Sequence, residues 1–118
     1  TRCVAVADGF YEWKREEKNK TPYYFLRKDK KVMFIAAIYQ NNEFCLITEN
    51  AYENVKQIHH RQPVVLHEAD VNRYLNLELS GSNFLKEIKK IDLEFYEISK
   101  DVNKPTNNNI SLIQPINN

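Results

Sequence analysis

The segment Asp8-Gly-Phe-Tyr-Glu-Trp13 sets a carboxylate among large aromatic side chains. Desolvation there penalises the charged form, raises the carboxyl pKa and suits it to proton transfer near neutral pH, which makes Glu12 the first candidate catalytic group. If the segment is a strand, alternation puts Glu12 on the side of Phe10 and opposite Tyr11 and Trp13. The ordinary alternative is a strand-edge carboxylate in water. A second cluster, His59-His-Arg-Gln-Pro63, holds two imidazoles and a guanidinium between a helix end and an extended Pro-Val-Val-Leu run. Such a junction can hold a general acid or base beside an anion-binding arginine. Adjacent histidines point in different directions in most backbones, so one would face inward and one would face water. The alternative here is a surface histidine pair with an exposed Arg61.

Three other groupings carry less. Asp8, Glu12, His59, His60 and His67 are metal-ligand types, but no pair has a ligand spacing such as His-Glu-x-x-His, and no metal is expected. Cys3 or Cys45 with His59 and Asn103 supplies the residue types of a cysteine protease, yet buried structural thiols explain both cysteines better. Trp13, Tyr11, Tyr23, Tyr24 and Tyr39 offer faces on which bases stack, each worth about 1–3 kcal/mol, with Arg2, Lys14, Arg15 and Arg61 near phosphates. Core filling explains aromatic-rich strands equally well.

The elements that must position these groups come from a chain of 118 residues, 14.0 kDa, 42% hydrophobic and 28% charged. That length and composition fit one folded domain, not disorder. No apolar run approaches a membrane span and the start lacks signal-peptide order, so an intracellular protein with reduced thiols and no membrane partner is expected. Two cysteines cannot build a disulfide framework or a thiolate-rich zinc site. A net charge of +1 draws in no nucleic acid globally, so such binding needs a local patch. Gly9 and Gly81 are too far apart for a dinucleotide fingerprint or a phosphate loop.

Short β-branched and aromatic runs predict strands over Arg2–Val6, Phe10–Trp13, Pro22–Leu26, Val32–Tyr39 and Glu43–Thr48, with Asn41-Asn42 as a two-residue hairpin turn. Ala51, Val55 and Ile58 behind a capping-box-like Asn50-Ala-Tyr-Glu53 predict a two-turn helix whose end delivers His59. Val71, Tyr74 and Leu75 suggest a second helix, and Phe84 to Ile91 a third beginning after Gly81-Ser82. Leu93–Ile98 returns to strand and Lys100–Asn109 reads as loop. A strand-like opening without an initiator methionine looks like the later part of a longer polypeptide.

Cys3-Val-Ala-Val-Ala-Asp-Gly-Phe-Tyr-Glu-Trp13, Thr21-Pro-Tyr-Tyr-Phe25, Phe34-Ile-Ala-Ala-Ile-Tyr39, Leu46-Ile-Thr48, His59-His-Arg-Gln-Pro63 and Val102-Asn103 resemble, in order and spacing, the SOS-response-associated peptidase (SRAP) family. The resemblance covers essentially the whole chain. It implies an α+β fold with a curved, mostly antiparallel, barrel-like sheet and short peripheral helices, residues 1–118 being the C-terminal portion of a single such domain. It also implies recognition of abasic sites in single-stranded DNA by a monomeric bacterial protein, cytoplasmic and nucleoid-associated, without cofactor. The family's nucleophile is a cysteine behind the initiator methionine, freed by self-processing, whose amine and thiol close a thiazolidine on the sugar aldehyde. Cys3 is not that residue.

Carried over by position, Glu12 matches the catalytic glutamate that shuttles protons. His59 matches the histidine assisting adduct chemistry and strand cleavage, and Thr48 a threonine lining the pocket. Arg61 becomes a phosphate or structural partner, and Trp13 a hydrophobic wall beside Glu12. Val6, Ala37, Tyr39, His60 and Gln62 depart from the family pattern, His60 standing where an aspartate is common. Two alternatives remain: a non-covalent single-stranded DNA binding module, and a thiol peptidase using Cys3 or Cys45 beside His59.

Overall fold

The computed structural model describes residues 1–79, 81, 83–104 and 108–116. Among these residues, nine strands run in chain order: β1 Arg2–Ala7, β2 Phe10–Glu16, β3 Asn19–Arg27, β4 Met33–Gln40, β5 Glu43–Leu46, β6 Thr48–Asn50, β7 Arg61–Pro63, β8 Val65–Leu66 and β9 Leu93–Glu97. Three helices accompany them: α1 Glu53–Lys56, α2 Glu68–Leu75 and α3 Phe84–Glu87. All strand pairings are antiparallel. The mixed architecture is the α+β class that the sequence predicts, with one correction: the strands do not close into a barrel. They form a β1-β4-β5 sheet with β8 also on β4, a separate β2-β3-β9 sheet, and a β6-β7 ribbon. A barrel needs every strand paired on both edges. Here β4 shares its second edge between β5 and β8, and β1, β5, β2 and β9 each keep an outer edge without a strand partner among the described residues.

The β2-β3-β9 sheet sorts its aromatics onto two faces by strand alternation. On one face Phe10 stacks on Phe25 at 5.1 Å, Phe25 on Phe95 at 5.2 Å, and Tyr23 meets Phe95 edge-on at 5.8 Å. This row enters the core cluster of Met33, Ile35, Val55, Ile58 and Leu93. On the other face Tyr11, Tyr24 and Tyr96 form a second row, with Trp13 beside Tyr11. Tyr24 is buried there, so it offers no face to a base.

A second core cluster of Ala36, Val64, Leu66, Tyr74 and Leu79 lies under α2, where the Tyr74 hydroxyl donates to the Ala37 carbonyl at 2.6 Å. The Asn41-Asn42 turn has φ of 55° and 64°, the left-handed pair of a type I′ hairpin, as its sequence predicts. α1 is one turn instead of two and has no capping box. Tyr52 is its N-cap and makes no side-chain bond, since a phenol carries no oxygen near its own backbone, while the Asn50 side-chain oxygen accepts from Arg61. α3 ends at Glu87, since Ile88 is already extended and buries itself in the second core. Lys100–Asn103 forms a 3-10 turn where loop is predicted, and Ser82 and residues 105–107 of the predicted elements lie outside the described residues. No helix among the described residues is long and apolar enough to cross a membrane.

Candidate active site

Glu12 stands mid-way along β2, opposite Tyr23 of β3, on the face of the Phe10–Phe25–Phe95 row. The sheet fixes its Cα, and its carboxylate oxygen Oε1 lies 3.3 Å from the Trp13 backbone nitrogen, which donates to it. The one-turn helix α1 delivers the other group. The His59 backbone N–H closes on the Val55 carbonyl at 2.8 Å, turning the chain so that the imidazole Nε2 lies 3.6 Å from Glu12 Oε1. The two side chains are 21% and 28% exposed, open enough to meet a substrate and enclosed enough to hold one geometry.

The far side of the imidazole is anchored on Arg61. Nδ1 lies 3.2 Å from the Arg61 backbone nitrogen and 3.1 Å from the Arg61 carbonyl oxygen. This edge fixes the orientation of the ring, with Nε2 turned toward the Glu12 carboxylate.

Arg61 is held tightly. One terminal nitrogen donates to Asn50 Oδ1 at 2.8 Å and the other to the Thr48 carbonyl and Oγ1, both at 3.0 Å. The β6-β7 register places Asn50 opposite Arg61, so this guanidinium brackets the ribbon from which His59 emerges. Beneath it, buried Gln62 accepts the Tyr52 backbone N–H at 3.0 Å. Burial pushes the Glu49 carboxyl up against the opposing pull of Lys90, 3.4 Å away, and pushes the Tyr52 phenol up to about 12.

A cleft of about 780 Å³ opens beside the pair, lined by His59 and His60, by Asn50, and by Lys14, Arg15 and Lys56 among others. Glu12 and His59, predicted as partners, are thus brought together, and Thr48 and Arg61 are brought to each other. Trp13 borders the cleft, but its ring keeps company with Tyr11 on the face away from Phe10, and its indole N–H donates to Asn103 Oδ1 at 2.6 Å. The wall beside Glu12 is accordingly the Tyr23 side of the core row, since alternation turns consecutive residues to opposite faces. Lys56 and Asn50 were not legible as site residues, because a one-turn helix and a three-residue ribbon leave no periodic signal. Cys3 is half-buried on β1 and Cys45 is exposed on β5, which corrects the expectation of two buried thiols. Neither lines the cleft that contains His59.

Residues 1–105 match the family model for SOS response associated peptidase (SRAP). The chain belongs to that family. Among SRAP relatives, an abasic site processing protein of Saccharomyces cerevisiae is 31% identical over 130 residues, covering 98% of this chain and 35% of that protein. The abasic site processing protein YoqW of Bacillus subtilis is 31% identical over 127 residues, covering 96% of this chain and 57% of its own length. A crystal structure of a protein from Bacteroides thetaiotaomicron matches with a TM-score of 0.79 at 27% identity, over 98% of this chain and 56% of that one. The chain spans between about a third and three-fifths of the length of the proteins it matches.

Proposed function

We propose that Glu12 and His59 are the acid–base pair of an abasic-site processing protein, and that residues 1–118 are the C-terminal portion of a single SRAP domain. The observation that carries the reading is the 3.6 Å approach of His59 Nε2 to Glu12 Oε1 at the edge of a cation-lined cleft. The relatives' description as abasic site processing proteins supplies the substrate class. A ring-opened abasic sugar presents an aldehyde, and the nucleophile is the amino-thiol of an N-terminal cysteine that is neither Cys3 nor Cys45. Its amine adds to the aldehyde carbon, and the carbinolamine loses water to give an imine. The thiol sulfur then adds to the imine carbon while its proton passes to nitrogen, closing a thiazolidine with net loss of one water.

Glu12 is suited to take the amine proton and return it to the departing hydroxyl, and likewise to activate water for removal of the initiator methionine. His59, with Nε2 facing Glu12, is suited to pass a proton to the leaving group during reversal or strand cleavage. Thr48 and Arg61 hold the ribbon in register, and Trp13 borders the strand's path. The partner is single-stranded DNA, met by a monomer in the bacterial cytoplasm at the nucleoid.

The test is a denaturing gel of the full-length protein with an abasic single-stranded oligonucleotide. A heat- and detergent-resistant shift that an aldehyde-free oligonucleotide fails to give supports the reading. Binding with no resistant adduct would instead leave a non-covalent single-strand binding module.

A further inference from the structure

Four of the chain's five arginines are occupied by protein groups. Arg2 donates to the Tyr74 and Leu79 carbonyls, Arg27 to Asp29 and Glu68, Arg61 to Thr48 and Asn50, and Arg73 to Asp70. Arg15 is the exception. It is exposed, it lines the cleft beside the acid–base pair, and it has no hydrogen-bond or ion-pair partner among the described residues. His60 lines the same cleft. Its backbone is fixed by the Ala51 N–H bonding its carbonyl at 2.9 Å, while its ring is exposed, 4.5 Å from the His59 ring, with neither nitrogen hydrogen-bonded among the described residues. None of the described residues lining the cleft is a carboxylate.

Unpaired donors facing an open, acid-free cleft are prepared for an anion. We propose that Arg15 and His60 grip one phosphodiester of the bound strand, and that the grip is pH-dependent because His60 donates to the phosphate as an imidazolium. This rests on the reading of the cleft as a single-strand site. The charged and polar groups that line the cleft with His60 are His59 from its own loop, Lys14 and Arg15 from β2, Lys56 from α1, Gln57 just after it, and Asn50 from β6. None is acidic, and the carboxylate of Glu12 faces the other imidazole. A bound phosphate favours an imidazolium over a neutral ring, so binding the strand and protonating His60 favour each other by linkage.

The experiment is fluorescence anisotropy of the full-length protein with undamaged, labelled oligothymidylate, which has no aldehyde and therefore reports binding alone. Wild type is expected to bind at least about fivefold more tightly near pH 6 than near pH 8, across the range in which imidazole changes charge. His60→Gln is expected to abolish that difference while keeping the affinity seen near pH 8. Arg15→Gln is expected to weaken binding at both pH values and to flatten the dependence of log Kd on log salt by about 0.7, one single-strand phosphate contact.

The proposal fails if His60→Gln keeps the wild-type pH dependence, or if Arg15→Gln leaves the salt slope unchanged. Should either occur while both variants still crosslink abasic strands at the wild-type rate, the phosphate grip alone is lost and the acid–base reading stands. If the wild type binds oligothymidylate at neither pH, the single-strand reading of the cleft falls, and the grip falls with it.

Discussion

His59 Nε2 lies 3.6 Å from Glu12 Oε1, although one residue comes from a strand of the three-stranded sheet and the other from the loop after a one-turn helix. The Arg61 backbone beside Nδ1 holds the ring so that Nε2 faces the carboxylate. Replacing Glu12 by Gln keeps the shape and removes the base. Formation of the resistant adduct should slow by about 10²- to 10⁴-fold, the usual range for one proton-transfer group, with affinity for undamaged single strands unchanged. Quench-time series on denaturing gels measure the rate, and an unaltered rate would remove Glu12 from the chemistry.

His59 is placed for the return step. Loss of its ring in His59→Ala should alter adduct reversal and strand cleavage more than first binding. Release of DNA from purified adduct, followed by gel against anisotropy of intact oligonucleotide, separates the two. Weakened affinity with unchanged release would refute the assignment.

Arg61 joins Thr48 and Asn50 across the β6-β7 ribbon with three hydrogen bonds that depend on a planar fork. Arg61→Lys cannot reproduce them and should cost about 1–2 kcal/mol of stability in urea titrations. Thr48→Val removes the hydroxyl acceptor alone and should cost less. If the two residues act through one contact, the double variant should fall short of the summed losses by about 0.5–1 kcal/mol. Strict additivity would mean that the hydroxyl contact carries nothing.

The strands were readable because their alternation and turn residues agree with their tertiary role. Phe10 to Trp13 and the Asn41-Asn42 turn fall where local chemistry places them. Barrel closure was not readable, because it depends on which edges of β4 and β9 find partners, a property of pairing between distant segments. The same limit applies in the site. Glu12 and His59 were visible through their neighbours, but the direction of the Trp13 ring was decided by the row in which Tyr11 and Tyr24 already stand. Asn50 looked like a helix cap and became an acceptor for Arg61, since a charged donor outcompetes a backbone N–H.

Gly9 precedes β2, and the ring of Tyr24 lies over it. A Cβ built there would sit 2.4 Å from the Phe25 carbonyl oxygen and 2.5 Å from the Tyr24 ring and hydroxyl. The backbone atom cannot yield without shifting β3. Gly9→Ala should therefore destabilise by about 1–3 kcal/mol, as overpacking does. Because the displaced strands carry Glu12, adduct formation should slow as well, even at temperatures where the protein stays folded. A urea midpoint equal to wild type would contradict the close approach.

The Arg27 guanidinium, buried at 2% exposure, donates to Asp29 at 2.9 and 2.6 Å and also to Glu68. These hydrogen bonds hold both carboxyls below the usual carboxylate range. A carboxyl whose pKa is lower folded than unfolded contributes stability above its unfolded pKa, about 4, and loses it as pH falls through the folded value. Arg27→Met keeps the bulk of the side chain and frees both acids, which remain solvated. At pH 7 the variant should melt roughly 5 °C below wild type. Between about pH 5 and pH 2 the wild type should lose stability faster, and the two melting curves should converge. Differential scanning calorimetry across that window decides the matter: a constant gap between the proteins at every pH would show that Arg27 contributes packing and that its two carboxylates contribute nothing.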